Sequence, residues 1–295
     1  MPTLREIKRR IGGVTSTEKI TKAMKMVAAA KLRRAQSAVI AARPYSRKLG
    51  ELMKHLARNA DLSENPLVKE REIKKVGIVV VTADRGFCGA FNSNIIKATN
   101  ELITTRYAAL YSSGNVKLFG VGKKGYDFFS KRKYDVIGNY SGVFHDLQFQ
   151  LAKNIATEVI KGYLDGSYDR VEIVYNEFKN IIQQRLIVEQ FLPISKEEFE
   201  PEAKHIELQY IYEPDIASIL ESLMPRHLEY QIWRVLLESN AAGEGARMAA
   251  MDNASENASE LISSLSLQYN KARQASITKE LLEVVSGAEA LTAAS

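Results

Sequence analysis

Val76-Gly77-Ile78-Val79-Val80-Val81, followed by Thr82-Ala83-Asp84-Arg85-Gly86, is the stretch whose reading decides the fold. A β-branched apolar run this short, closed by a glycine-containing turn, reads as a strand buried on both faces. Outward from it the period alternates. A helix is expected over 92–111, a strand over 116–121, a short helix over 126–132 and another helix over 146–164. Residues 171–178 and 185–191 read as two neighbouring strands, and 205–212 as a third. Strands alternating with helices predict an open α/β sheet whose last strands are antiparallel.

The two ends of the chain follow a different rule. Leu4, Ile7, Ile11 and Val14 are spaced 3, 4, 3, which is a heptad seam. Ile20, Met24 and Val27 are expected to resume it, with Ala28, Ala29, Ala30 and Ala35 beyond. Gly12-Gly13 and Thr15-x-x-Glu18, a capping-box pattern, mark a possible break and restart, but against a break the apolar spacing survives across them with only a small phase slip. The pattern reaches about Leu56, and Asp61, Ser63, Asn65 and Pro66 read as terminator and linker. From Asp215 to about Leu291 the period is again helical, with Pro214 at its start and Pro225 expected to bend it. Some 75 helical residues would be roughly 110 Å long, too much for a compact domain of this chain. The helix must lie on something, and the N-terminal helix is the obvious partner. The small residues from Ala241 to Ala258 would let two axes approach closely.

The chain has 295 residues, 45% hydrophobic and 26% charged, values that exclude a mainly disordered protein. No apolar run reaches the roughly 20 residues of a membrane span. A single cysteine, Cys88, excludes an intramolecular disulfide framework. The net charge of +6 hides an asymmetry: residues 1–58 carry 15 Lys/Arg against three acids, and the remainder is net negative. Such an arm is either a solvated face or a surface that meets an anionic partner. MPTLREIKRR lacks the apolar segment of a secretory signal, and its pattern runs on into the helix, so it reads as mature structure.

Candidate sites are few. Gly120-Val121-Gly122-Lys123-Lys124-Gly125 spells G-x-G-x-x-G between strand and helix, the pattern that brings backbone close to a pyrophosphate. It does not follow the first strand, however, Asp135 comes too early for the ribose-binding acid and Asp146 reads as a helix start, so a plain turn is the better reading. Cys88 lies in a loop at the sheet's C-terminal edge, either as a nucleophile or as an inert side chain under a tight turn. None of His55, His145, His205 and His227 forms a motif with it. Walker A, G-x-S-x-G, H-E-x-x-H and Cys/His metal spacings are absent. Met24 and Met26, with Met248 and Met251, are core filler or an adaptable face. Core filler is the commoner case, and the basic residues Lys22, Lys25, Lys31, Arg33 and Arg34 make the first pair more suggestive of a face than methionines usually are.

Four blocks resemble the γ subunit family of F-type ATP synthases, and the resemblance covers essentially the whole chain. They are Ile20-Thr-Lys-Ala-Met-Lys-Met-Val-Ala-Ala-Ala-Lys31, the D-R-G-x-C-G-x-x-N segment within Thr82–Asn92, Ala246-Arg-Met-Ala-Ala-Met251, and Asn270-Lys-Ala-Arg-Gln-Ala-Ser-Ile-Thr-Lys-Glu-Leu281. Ile277-Thr-x-Glu-x-x-Glu283-x-x-x-Gly287-Ala288-x-Ala290 fits the family signature. The resemblance implies an α/β chain with a long antiparallel coiled coil of N- and C-terminal helices and a Rossmann-like open α/β domain. The expected divisions are 1–60 for the first coil helix, 70–212 for the globular domain and 213–295 for the second coil helix.

It further implies a central-stalk rotor that is not itself an enzyme, binds no cofactor or metal, and passes c-ring rotation to catalytic β subunits. The implied partners are a ring of three α and three β subunits, an ε subunit and the membrane c-ring. The implied place is peripheral, on the cytoplasmic face of a bacterial inner membrane. By motif match, Met24 faces an acidic lever loop of β. Arg247 and Gln274 meet catch loops, and Arg273, Thr278 and Glu280 stand at coupling positions. Lys25 departs from relatives that carry an acid there, which implies a stronger pull on acidic loops. Without the extra paired cysteines of the plastid form, thiol regulation is not expected. The small-residue run Ala241–Ala258 suggests a shaft with few knobs to lock one angle. The competing class is a basic coiled-coil nucleic-acid-binding protein, supported by the N-terminal arm but lacking interleaved aromatics for base stacking.

Overall fold

A computed structural model of the chain describes residues 3–57, 62, 65–180, 183–195, 199 and 212–293, with side chains up to residue 288. The elements in order are α1 (Leu4–Ala57), β1 (Val76–Val81), α2 (Phe91–Glu101), a π-helical turn (Leu102–Arg106), α3 (Ala108–Ser112), β2 (Val116–Val121), α4 (Lys123–Ser130), β3 (Asp135–Tyr140), α5 (Phe149–Leu164), β4 (Arg170–Phe178), β5 (Gln184–Leu192) and α6 (Ile216–Ala293). They form two compact units, Met1–Val27 with Met248–Ser295, and Ala28–Arg247.

The larger unit holds a five-stranded sheet of order β3-β2-β1-β4-β5. β1 pairs in parallel with both β2 and β4, β2 with β3, and only the β4–β5 pair is antiparallel. Every residue of β1 is buried, as its uninterrupted apolar run requires. Alternate side chains serve opposite faces. Val79 and Val81 join Ile155, Val159, Leu228 and Ile232 on one side, and Val76, Ile78 and Val80 join Phe91, Ile95 and Ala242 on the other. Both faces are thus covered, α5 and α6 as far as Leu236 serving one face, and α2, α4 and the α6 residues Ala242 and Ala246 the other.

The expected helix over 92–111 is interrupted. The π-helical turn brings Arg106 and Tyr107 to Glu172 of β4, a carboxylate only 1% exposed. Tyr107 donates its hydroxyl to it at 2.6 Å, and Arg106 and Arg170 flank it at 3.0 and 3.1 Å. A buried charge needs such partners, and here they fix where the helix must deform. β3 was not expected at all. It is an edge strand with one buried residue in six, so it shows neither an apolar run nor alternation. Of the strand expected over 205–212, residues 205–211 lie outside the described residues, as do Asp61 and Ser63 of the expected terminator.

In the same unit, Ala28, Leu32, Ala35 and Val39, then Leu49, Met53 and Leu56, form the buried seam of α1. Tyr45 stacks on Tyr230 of α6 with ring centroids 4.2 Å apart. α1 runs through Pro44 and α6 through Pro225 without interruption. The start of α6 is capped by Asp215, whose carboxylate accepts from the Ser218 amide at 2.9 Å and the Ser218 hydroxyl at 2.6 Å.

The smaller unit is an antiparallel helix pair. On α6 the buried or half-buried positions Met251, Ser255, Ala258, Ile262 and Leu265 are spaced 4, 3, 4, 3. On α1 the seam is Leu4, Ile7, Ile11, Val14, Glu18 and Thr21. Thr21 meets Ser255, hydroxyl to hydroxyl at 2.7 Å and buried. Lys25 meets Asp252 at 2.5 Å. Two expectations are corrected here. Gly12-Gly13 do not break the helix, in keeping with the apolar spacing that runs across them, and the hydroxyls of Thr15, Ser16 and Thr17 bond the carbonyls four residues back instead of capping. The capping box is instead at Thr3 and Glu6, each side chain accepting the other's amide. Nor do Ile20 and Val27 belong to the seam, since they are 59% and 57% exposed. The heptad continues without a phase slip through Thr21, a polar residue that hydropathy passes over.

Candidate functional site

The loop after β1 is organised by its own side chains. Asp84 Oδ1 accepts the amides of Lys123 at 2.9 Å and Gly142 at 2.7 Å, and Oδ2 accepts that of Phe144 at 3.0 Å. One carboxylate therefore ties the loops after β1, β2 and β3 together at the C-terminal edge of the sheet. Asn92 Oδ1 accepts the Ala83 amide at 2.9 Å, and its Nδ2 donates to Cys88 Sγ at 3.1 Å. Cys88 is buried, and burial pushes its thiol pKa up, away from a nucleophile's range. Among the described residues no histidine hydrogen-bonds it.

The G-x-G-x-x-G run has a packing role. At the start of α4 the Lys123 amide goes to Asp84, the Lys124 amide to the Ala83 carbonyl and the Gly125 amide to Thr82 Oγ1. Those donors would hold a pyrophosphate in a dinucleotide-binding turn. Here the protein's own oxygens already occupy them. Gly122 has φ +87°, and a Cβ there would stand 1.9 Å from the Thr82 carbonyl oxygen. A Cβ at Gly125 would come within 2.9 Å of the Thr82 side chain. The glycines let β2 and α4 close on the end of β1.

This loop in turn positions Arg247. Its Nε donates to the Gly86 carbonyl at 3.3 Å, its second guanidinium nitrogen to the Arg85 carbonyl at 3.4 Å, and the third pairs with Glu244 at 2.6 Å. Beside it Phe87 is held at φ +59° and is 74% exposed. A bulky residue in the left-handed region, presented to solvent, is a feature the surrounding loop has to impose.

The other residues singled out in the sequence lie in the smaller unit. Met24 is half-buried next to Lys25, whose ammonium is paired with Asp252. Arg273, Gln274, Thr278 and Glu280 are all exposed, about 30–40 Å along α6 from Asp252 at 1.5 Å per residue. Thr278 Oγ1 donates to the Gln274 carbonyl at 2.9 Å, and Ser276 Oγ to Glu280 at 3.2 Å. The structure thus places the sequence-derived residues as two patches on one unit, with Arg247 on the other unit. It adds Thr21 and Ser255, which the polar–polar match across the seam could have signalled, and Asp84, whose partners lie too far along the chain to be read.

Beyond this point the smaller unit has an unmatched end. Ile7, Arg10, Leu265 and Gln268 line one groove near the start of α1. After it, α6 continues with Ile277, Leu281, Leu282, Val284 and Val285 between 49% and 71% exposed. Ile277, Leu281, Val284 and Val285 follow the i, i+4, i+7, i+8 spacing of one helix face, with Leu282 at its edge, an exposed apolar stripe.

A family model described as ATP synthase matches residues 3–291. The ATP synthase gamma chain of Chlorobaculum tepidum is 53% identical over 292 residues, 99% of each chain. That of Chlorobium phaeobacteroides is 54% identical over the same length and coverage. The chain belongs to the ATP synthase gamma chain family. Solved structures share the fold. A chain of the Euglena gracilis mitochondrial ATP synthase OSCP/F1/c-ring structure has a TM-score of 0.67 at 22% identity, covering 98% of this chain and 95% of that one. A chain of the Tetrahymena thermophila mitochondrial ATP synthase central stalk/c-ring structure gives 0.55 at 25% identity, covering 80% and 99%. None of these relatives is named as a nucleic-acid-binding protein. Among the described residues, no helix is long and apolar enough to cross a membrane.

Proposed function

We propose that the chain is the central-stalk rotor of a bacterial F1Fo ATP synthase, a non-catalytic shaft that carries c-ring rotation to the nucleotide sites of a surrounding α/β ring. Its partners in this reading are three α and three β subunits, an ε subunit and the c-ring, at the cytoplasmic face of the inner membrane. The observation that carries it is the end of α6. Five large apolar residues from Ile277 to Val285 are exposed on one unmatched helix, and exposure of that kind calls for an enclosing apolar partner. A surrounding sleeve of subunits would cover that stripe.

The residue roles follow the same reading. Ile20, Met26 and Val27, exposed on the outside of the helix pair, form with Met24 a face that β lever loops press. Arg247, set against the loop after β1, and Arg273, Gln274, Thr278 and Glu280 along α6 meet the ring at different heights. Lys25 has a more modest role than its charge suggests, because Asp252 already partners it. An exposed pair of this kind contributes about 0–1 kcal/mol to stability, yet it tethers the ammonium away from acidic loops. The experiment is reconstitution with α and β subunits, read by size-exclusion chromatography and cooperative ATP hydrolysis. Failure to form a complex would sink the proposal. Salt-dependent DNA binding in its place would favour the nucleic-acid class.

A further inference from the structure

A cavity of about 570 Å³ opens at the C-terminal edge of the sheet, within the larger unit, between the loops after β1, β2 and β3 and the stretch of α6 from Ser239 to Arg247. Ligand sites of open α/β sheets occupy this edge, but the turn at the start of α4 is closed by Asp84 and Thr82, as described above. The cavity beside it has a separate set of groups. Lys31, Arg85, Lys123 and Arg247 line it, against the acids Asp84 and Glu244. The side chains of Lys31, Arg85 and Lys123 make no hydrogen bond or ion pair among the described residues, and the carboxylate of Asp84 accepts three backbone amides.

Two further groups are both buried and unpartnered. Ser239 is 2% exposed and its hydroxyl has no hydrogen-bond partner; Glu244 is 9% exposed, with Oε1 on Arg247 and Oε2 without a partner. A native fold rarely leaves such atoms unsatisfied, and each calls for an explanation. Together they ask for a ligand that accepts from Ser239, donates to Glu244 Oε2 and carries negative charge toward three free cations.

We propose that this cavity binds a phosphate group that retains a proton donor, as free hydrogen phosphate or with a hydroxyl of a small phosphate monoester beside it. Hydrogen phosphate has both the acceptor oxygens and the hydroxyl proton at neutral pH. Sulfate has the same size and charge but no donor, so it would leave Glu244 Oε2 facing an anionic oxygen. The carboxylate is the selecting group, and the cations supply the attraction.

Titration calorimetry of the full chain with inorganic phosphate, sulfate and glycerol 3-phosphate tests this. Phosphate should bind about tenfold or more tightly than sulfate, the factor expected when a buried acceptor is left unpaired. Glu244→Gln, which keeps an acceptor for Arg247 and gains a donor, should erase that preference. Ser239→Ala should weaken both anions, and Lys123→Gln, at an exposed position, should weaken both and flatten their salt dependence. Tighter binding of glycerol 3-phosphate than of phosphate assigns the site to a monoester, and the reverse to the free ion. No heat with phosphate up to about 10 mM, or equal affinity of the unmodified chain for sulfate and phosphate, would overturn the proposal.

Discussion

Replacing Asp84 by alanine should cost the larger unit about 2–4.5 kcal/mol. The carboxylate accepts three backbone amides at 2.7–3.0 Å from two loops that lie 39 to 60 residues away in sequence. A hydrogen bond to a charged group contributes about 1.5–3 kcal/mol. The three share two oxygens, and the site is partly open to water that would reoccupy the amides, so the sum is discounted to about half. Trp233 is the chain's single tryptophan and packs beside the core of the same unit, which makes its fluorescence a local reporter in urea. With an m value of about 2–3 kcal/mol/M, the midpoint should fall by about 1–2 M. Asp84→Asn should fall between, because one carbonyl oxygen remains while the new amide group faces donors. Hydrogen exchange at the Lys123, Gly142 and Phe144 amides should accelerate in both variants. A midpoint shift below about 0.3 M for alanine, with those amides still protected, would refute the argument that this carboxylate holds the loops.

Other consequences can be measured separately. Thr21→Val and Ser255→Ala should each lower stability by about 1 kcal/mol, and a double-mutant cycle should show coupling between them; additivity would mean the hydroxyl pair contributes nothing. Ala258→Leu, at a buried seam position, should destabilise by about 1–3 kcal/mol through overpacking. Ala249→Leu, at a half-buried one, should leave stability near wild type and slow rotation in a reconstituted complex; unchanged rotation would count against the few-knobs reading of Ala241–Ala258. Hydrogen bonds from Ser218 hold the Asp215 carboxyl below its usual value. A depressed native pKa means its capping is fully present above the unfolded value of about 3.9 and is lost as pH falls through the lower native one. The stability gap between wild type and Asp215→Ala should therefore be constant near neutrality and close in acid, and a gap that widens in acid would contradict this.

The central strands were legible because burial on both faces forces an apolar run: β1 and β2 stand where Val76–Val81 and Val116–Val121 placed them, β4 starts one residue earlier than expected, and β5 is longer by one residue at each end. β3 was not legible, since an edge strand answers to no such demand. The long helices were readable from heptads, yet hydropathy chose Ile20 and Val27 over Thr21, and the structure chose the reverse. Ile20 faces outward, where a partner protein rather than this chain decides what is apolar. The glycine run and the D-R-G-x-C-G loop were visible as motifs, but their purpose was not. Asp84 acts through amides of Lys123, Gly142 and Phe144, and no local pattern announces a bond across that much sequence.

The hydroxyl pair in the helix seam bears on how a loaded shaft fails. Two helices joined only by apolar knobs can creep past each other by one heptad and bury nearly the same surface. Here such a slide would carry Thr21 opposite Ile262 in one direction or Met248 in the other, and its hydroxyl would lose Ser255. Lys25 and Asp252, a turn away, would part in the same movement. The pair works as a key in a keyway. It adds little to strength under static load, but it fixes the axial index of the two helices, so that every residue meeting a partner stays at its own height through each turn.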